Sequence, residues 1–276
     1  MKKALCLLLA LTTAIALIGC SGKNATDAKT STAESAETTT NYADKDFVAD
    51  VQNALETRWD STDKMDVDSV DYESADFVNA ITKLTNQESK TLSKYKTANF
   101  KDGELQELAI KYLNNLNKSK TIVKKFPSDY INAYDEWEAM YNDRTTIIQT
   151  LINKYGLTFS DKYADDVAEI TANAKSVASK DKEKEKVDKL AKSLKFNKKG
   201  DGTGYYTYTT KVKNNTGLNF EYLTFNIDLL DKDGTVIEQE NIYFENVEDG
   251  KSYQGDFETD AKFENYKITA DYTVKS

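Results

Sequence analysis

Apolar residues between Asp44 and Phe196 recur three or four positions apart, the spacing of helices that bury one face. Phe47, Val48, Val51, Leu55 and Trp59 predict a first helix with Asp44 as its N-cap. Residues 60–73 interrupt the period and predict a loop. Phe77, Ile81, Leu84, Leu92 and Tyr95 predict a second helix. Leu105, Leu108, Tyr112, Leu116 and Val123 predict a third, opening at Asp102 and Gly103. Pro127 predicts the start of a fourth, because a first-turn residue needs no N–H. That helix carries Tyr130, Tyr134, Trp137, Tyr141, Arg144, Ile148 and Leu151, and Gly156 closes it. Ser160 caps a fifth, with Tyr163, Val167 and Ile170 on its apolar side. The mixed charge run Lys180–Lys186 reads as a solvated helix face, after which Val187, Leu190 and Leu194 resume the stripe. Short connections predict an antiparallel bundle.

Beyond a Gly-rich break at Lys198–Gly204 the period becomes two. Tyr206, Tyr208, Thr210 and Val212 share one face of a strand, and Leu223, Phe225, Ile227 and Leu229 share another. Tyr222 breaks the alternation between Phe220 and Leu223, which predicts a bulge. Asp231–Gly234 predicts a hairpin turn, and Glu248-Asp249-Gly250 a second. Ile268, Ala270, Tyr272 and Val274 mark the last strand. The expected fold is therefore α+β multidomain: a helical bundle over 44–197, a linker over 198–204 and a small β-sandwich over 205–276.

A different pattern precedes these domains. Lys2 and Lys3 are followed by an almost wholly apolar run over residues 4–18, a secretory leader too short for an ordinary membrane span. Residues 21–43 are small and polar with no period, and read as a flexible tether. Leu17-Ile18-Gly19-Cys20 resembles the lipobox of bacterial lipoproteins. The resemblance implies that residues 1–19 are a signal peptide and that Cys20 carries acyl chains. Two chains hold a protein stably, at about 0.8 kcal/mol per buried methylene. Cys6, inside the apolar run, reads as a small hydrophobe. The implied location is the extracytoplasmic face of the cell membrane.

Two further resemblances lie downstream. Ile227-Asp228-Leu229-Leu230-Asp231 with Gly234, and the segment Val247–Phe257, are similar to the FxLYD domains, small immunoglobulin-like modules of extracytoplasmic lipoproteins. Ile227 stands where that family has Phe, and Leu230 where it has Tyr. The segments Glu56–Asp60, Tyr134–Arg144 and Asn153–Leu157 look like uncharacterised helical domains of Gram-positive lipoproteins, a resemblance that implies a location and no activity.

Composition narrows the chemistry. The chain of 276 residues has 37 Lys and Arg against 46 Asp and Glu, and loss of Lys2 and Lys3 leaves 35 against 46. An acidic body argues against nucleic-acid binding, which needs a basic footprint. With no histidine and no cysteine besides Cys6 and Cys20, the usual general base, a thiolate zinc site and a Cys–His nucleophile are excluded from the processed chain. No catalytic role, cofactor or metal is expected. The expected partners are the membrane, through the lipid, and an envelope protein or wall component.

Several motifs offer chemistry but read better as structure. Asp231, Asp233 and Glu240 fit three positions of an EF-hand loop, yet Leu229 stands at its first ligand position, so a hairpin is expected. Asp66, Asp68 and Asp71 form a solvated acidic loop. The Ser-x-x-Lys spacings at Ser61, Ser93 and Ser179 lack the companion motifs of Ser-Lys acyl enzymes. Asp135, Glu136 and Glu138 point different ways around a helix, unlike a paired acid and base. The most unusual grouping joins both arginines and both tryptophans: Arg58 and Trp59, with Trp137, Tyr141 and Arg144 at i, i+4 and i+7. Either the aromatics pack helix one against helix four, with the arginines paired at the edge, or the five residues line a groove that stacks on a sugar, peptide or wall fragment.

Overall fold

The structure, a computed structural model, describes residues 42–65 and 71–275. The leader with Cys6 and Cys20, most of the tether, and Asp66 and Asp68 of the acidic loop lie outside the described residues. Five helices, α1 (Asp44–Thr62), α2 (Ala75–Leu92), α3 (Gly103–Ile122), α4 (Tyr130–Tyr155) and α5 (Ala164–Ser193), precede six strands. The strands are β1 (Asn197–Gly200), β2 (Tyr206–Lys213), β3 (Phe220–Leu230), β4 (Val236–Val247), β5 (Ser252–Thr259) and β6 (Asn265–Val274). The chain divides into two compact units between Lys175 and Ser176.

In the helical unit the apolar stripes become two clusters. Phe47, Val51 and Leu55 of α1 meet Leu105, Tyr112 and Leu116 of α3 and Ile148 and Leu151 of α4 in one. Phe77, Ile81 and Leu84 of α2 meet Phe126, Trp137 and Met140 in the other. Asp102 caps α3, its Oδ1 accepting from the Glu104 and Leu105 amides, and Gly156 ends α4 at φ 72°.

Three expected helix starts differ. Asp44 lies inside α1, and its carboxylate instead accepts the Lys101 and Asp102 amides at 2.8 and 2.9 Å, tying the α2–α3 connection to α1. Pro127 sits in the turn before α4, which begins three residues later at Tyr130. Ser160 precedes a short 3-10 turn and makes no side-chain cap bond.

The β unit holds two antiparallel three-stranded sheets, ordered β1-β2-β5 and β4-β3-β6. Phe220, Leu223, Phe225, Ile227 and Leu229 of β3 are fully buried, and the expected bulge appears as a register shift between Phe220 and Tyr222. Asp231 Oδ1 accepts the amides of Asp233 and Thr235, so this acid holds a turn. Glu248-Asp249-Gly250, expected as a hairpin turn, carries the chain from β4 in one sheet to β5 in the other. At Gly255 of β5 the strands come so close that an added Cβ would lie 2.4 Å from Ile242 Cγ2 of β4.

The boundary expected at residues 197 and 198 is corrected in two ways. Asn197, the last residue expected in the bundle, and Lys198–Gly200, expected in the linker, form strand β1, paired with β2 from Asn197↔Thr209 to Gly200↔Tyr206. The last turns of α5, assigned to the bundle, belong to the β unit: Val187, Leu190, Ala191 and Leu194 share a cluster with Val212, Leu223 and Phe225. Helical periodicity reports that a face is buried and leaves open what buries it.

Candidate functional site

Glu88 of α2 lies seven residues after Ile81 and four after Leu84, on the helix face that enters the core. An apolar residue is due there, and the chain supplies a carboxylate with its side chain fully shielded from solvent. Both arginines converge on it. Arg144 Nη2 donates to Glu88 Oε1 at 2.6 Å and Oε2 at 2.7 Å, and Arg58 Nη1 donates to Oε2 at 3.2 Å. The Tyr112 hydroxyl donates to Glu88 Oε1 and accepts from Arg144 Nη2 at 3.2 Å. Arg58 and Arg144 are only 6% and 7% exposed.

Burial favours the neutral form of every member, so the neighbours decide the charge state. Burial alone would raise the Glu88 carboxyl, but Arg144 and then Arg58 outweigh it and hold it below its usual range. Burial, reinforced by Glu88, pushes the Tyr112 phenol far up, so it stays protonated. The two arginines part ways. Arg144, bonded twice to the carboxylate, is held firmly charged, and Glu88 and Tyr112 overcome its burial. Burial and the facing charge of Arg144 bring Arg58 down to about 10.

A cavity of about 50 Å³ opens beside this cluster, between α1, α4 and the first turns of α5. Arg58, Trp59, Trp137, Tyr141 and Arg144 all line it, so the five residues singled out in the sequence share one site. Both arginines are nonetheless buried and carboxylate-paired, as the packing alternative requires. The two tryptophans belong to different clusters. Trp59 meets Phe159 edge-on at 4.9 Å, whereas Trp137 meets Phe126 at 6.0 Å in the other cluster.

Asp166 and Glu169 of α5 complete the lining. Burial, then the charges of Asp63 and Asp165, raises Asp166 to about 6. Burial and Asp166 raise Glu169 to about 7, against a bond from Tyr141 that favours the anion. Glu169 Oε1 is buried and accepts no hydrogen bond from the described residues. Each carboxyl binds its proton more tightly folded than unfolded, where the ordinary values are 3.8 and 4.5. The stability they contribute is full below about pH 4 and is lost as pH rises through 6 to 7. Both are half-buried, so solvent screening leaves about 1 kcal/mol each. Denaturant midpoints from tryptophan fluorescence should therefore fall between pH 5 and pH 8, and Glu169→Gln should flatten the slope. A midpoint that rises over this range would contradict the assignment.

Sequence reasoning missed Glu88, Asp166 and Glu169. The signal for Glu88 was a gap in the stripe Phe77, Ile81, Leu84, Leu92 at the one position where the period demands burial. Nothing comparable marks Asp166 and Glu169, which in the sequence stand among the many charges of α5. Glu136 pairs with Lys125 at 2.6 Å on half-exposed side chains, and Ser61 Oγ donates to Thr57 O. Among the described residues, no group of three His, Cys, Asp or Glu is placed to hold a metal ion. No helix among them is long and apolar enough to cross a membrane. No protein-family model matches the chain, and no curated protein or solved structure matches it.

Proposed function

We propose that the protein is a non-catalytic lipoprotein, anchored through Cys20 on the extracytoplasmic face of the cell membrane, whose two units present an interaction surface in the envelope. The observation that carries this reading is the chain's opening. A basic pair and an apolar run end in Leu17-Ile18-Gly19-Cys20, the chain holds no second cysteine outside that run, and a polar tether follows. A single thiol suits an attachment point and cannot form an internal disulfide after processing. In this reading the β unit is an immunoglobulin-like module of FxLYD type. Its two three-stranded sheets, the core positions of Ile227 and Leu229, and Gly234 at φ 81° in the following turn support that. Partners are the membrane, through the lipid, and an envelope protein or wall component.

Metabolic labelling with a fatty-acid probe tests the anchor. The wild-type chain should label and fractionate with membranes, and Cys20→Ala should lose all label. Equal labelling of the two would end the proposal.

The cavity favours a second reading, a receptor lipoprotein for a small ligand. Its walls combine aromatic rings with a few convergent charged groups, the usual make-up of a small-molecule site. A thermal-shift screen of sugars, peptides and small acids should then give a saturable hit.

A further inference from the structure

We propose that the cavity between α1, α4 and the start of α5 binds a small carboxylate that also carries a hydrogen-bond donor, a hydroxy- or amino-carboxylate, with its acid group on Arg58. The proposal rests on the receptor reading above and gives it a ligand class.

The buried cluster holds two guanidinium cations, Arg58 and Arg144, and one carboxylate, Glu88, while Tyr112 stays a neutral phenol. One positive charge is left over in a water-poor place, where an unpaired ion is costly. The geometry locates it. Arg144 takes both oxygens of Glu88 at 2.6 and 2.7 Å, whereas Arg58 has one longer bond of 3.2 Å, its only side-chain hydrogen bond among the described residues. Arg58 also lines the cavity, so an anion there can reach its remaining N–H groups. The cavity's own acids do not fill this role. Glu169 is hydrogen-bonded to Tyr141 and has Asp166 as its charged neighbour, and Asp166 lies near Asp63 and Asp165.

The shape of the ligand follows. One excess charge calls for a singly charged acid group on Arg58 and disfavours a phosphate dianion. A planar carboxylate matches the guanidinium fork in two parallel bonds. A cavity of about 50 Å³ has room for about four waters, enough for a group of four or five non-hydrogen atoms. Glu169 also lines the cavity, and its Oε1 is a buried acceptor with no donor among the described residues, which a ligand hydroxyl or ammonium would supply. Trp59 and Tyr141 line the same cavity.

Calorimetric titration of the full chain in detergent, with parallel melting curves, tests this. The probes are glycolate and glycine, which carry both groups, acetate, which lacks the donor, methylammonium, which lacks the acid, and chloride. Glycolate or glycine should bind saturably with Kd on the order of 1 mM, as befits so small a ligand. Acetate should bind at least tenfold more weakly, and methylammonium and chloride should not saturate. Arg58→Met should fold, because Glu88 keeps Arg144, and should lose binding. Glu169→Leu should weaken glycolate or glycine about tenfold. No binding by either two-group probe, equal binding by methylammonium or chloride, or binding that survives Arg58→Met would overturn the proposal. So would an Arg58→Met chain that fails to fold, since it would contradict the charge count. A hit from sugars or peptides with none from these acids would remove this ligand class and leave the receptor reading standing. Cys20→Ala should leave the titration unchanged, so anchoring and binding fail separately.

Discussion

Glu88→Gln is expected to be the most damaging single substitution in the helical unit. The amide keeps the shape and an acceptor but removes the only negative charge between Arg58 and Arg144, both more than nine-tenths buried. Two like charges would then face each other with water largely excluded. Breaking a buried ion pair from one side costs about 3–5 kcal/mol. A substitution that strands two cations should reach the top of that range, a large share of a typical domain stability of about 5–15 kcal/mol. Tryptophan fluorescence is the direct measure, because Trp59 and Trp137 both lie in the helical unit and the β unit has none. The informative partner is the full apolar replacement, Arg58→Met, Glu88→Leu and Arg144→Met with Tyr112→Phe. It should recover most of the loss, since a well-packed apolar cluster can match a buried ionic one. A Glu88→Gln chain within about 1 kcal/mol of wild type would mean that the cluster is far wetter than its geometry implies.

Phe225→Ala should produce the corresponding loss in the β unit. Phe225 is fully buried at the middle of β3, the strand that pairs on both sides, with Ile242 of β4 and Ala270 of β6 as its direct partners. Its ring meets Phe244 edge-on at 6.3 Å. Truncation removes the transfer free energy of the ring and leaves a void that a sheet bonded along both edges cannot close, for a loss of about 3–5 kcal/mol. Urea unfolding followed by near-ultraviolet dichroism of the β-unit tyrosines should register it as a lower midpoint. Phe225→Leu should recover more than half, because most of the volume returns. An alanine chain with an unchanged midpoint would place Phe225 outside the cooperative core.

Both substitutions bear on how much the primary structure reveals. Phe225 was identifiable from strict alternation with Leu223, Ile227 and Leu229, because a strand buries every second side chain. Glu88 was marked only by what the stripe lacked, and its partners could not be read at all. They sit 30 positions back, at Arg58, and 56 positions on, at Arg144. The pairing of unusual residues did show: both arginines and both tryptophans fell in two short segments, and they line one cavity. The carboxylate between them did not, since a glutamate is common on any helix surface.

Local pattern was enough for the type and approximate ends of the helices and of the strands after β1, as the cap at Asp102, the left-handed stop at Gly156 and the bulge near Tyr222 show. These depend on residues within a turn or two of each other, so nearby chain dictates them. Tertiary structure alone decided that the end of α5 packs with strands, that the turn after β4 changes sheets, and that one carboxylate answers two arginines. Each depends on which surfaces meet across long stretches of chain. Periodicity tells a face that it will be covered, while shape and charge matching in three dimensions choose the cover.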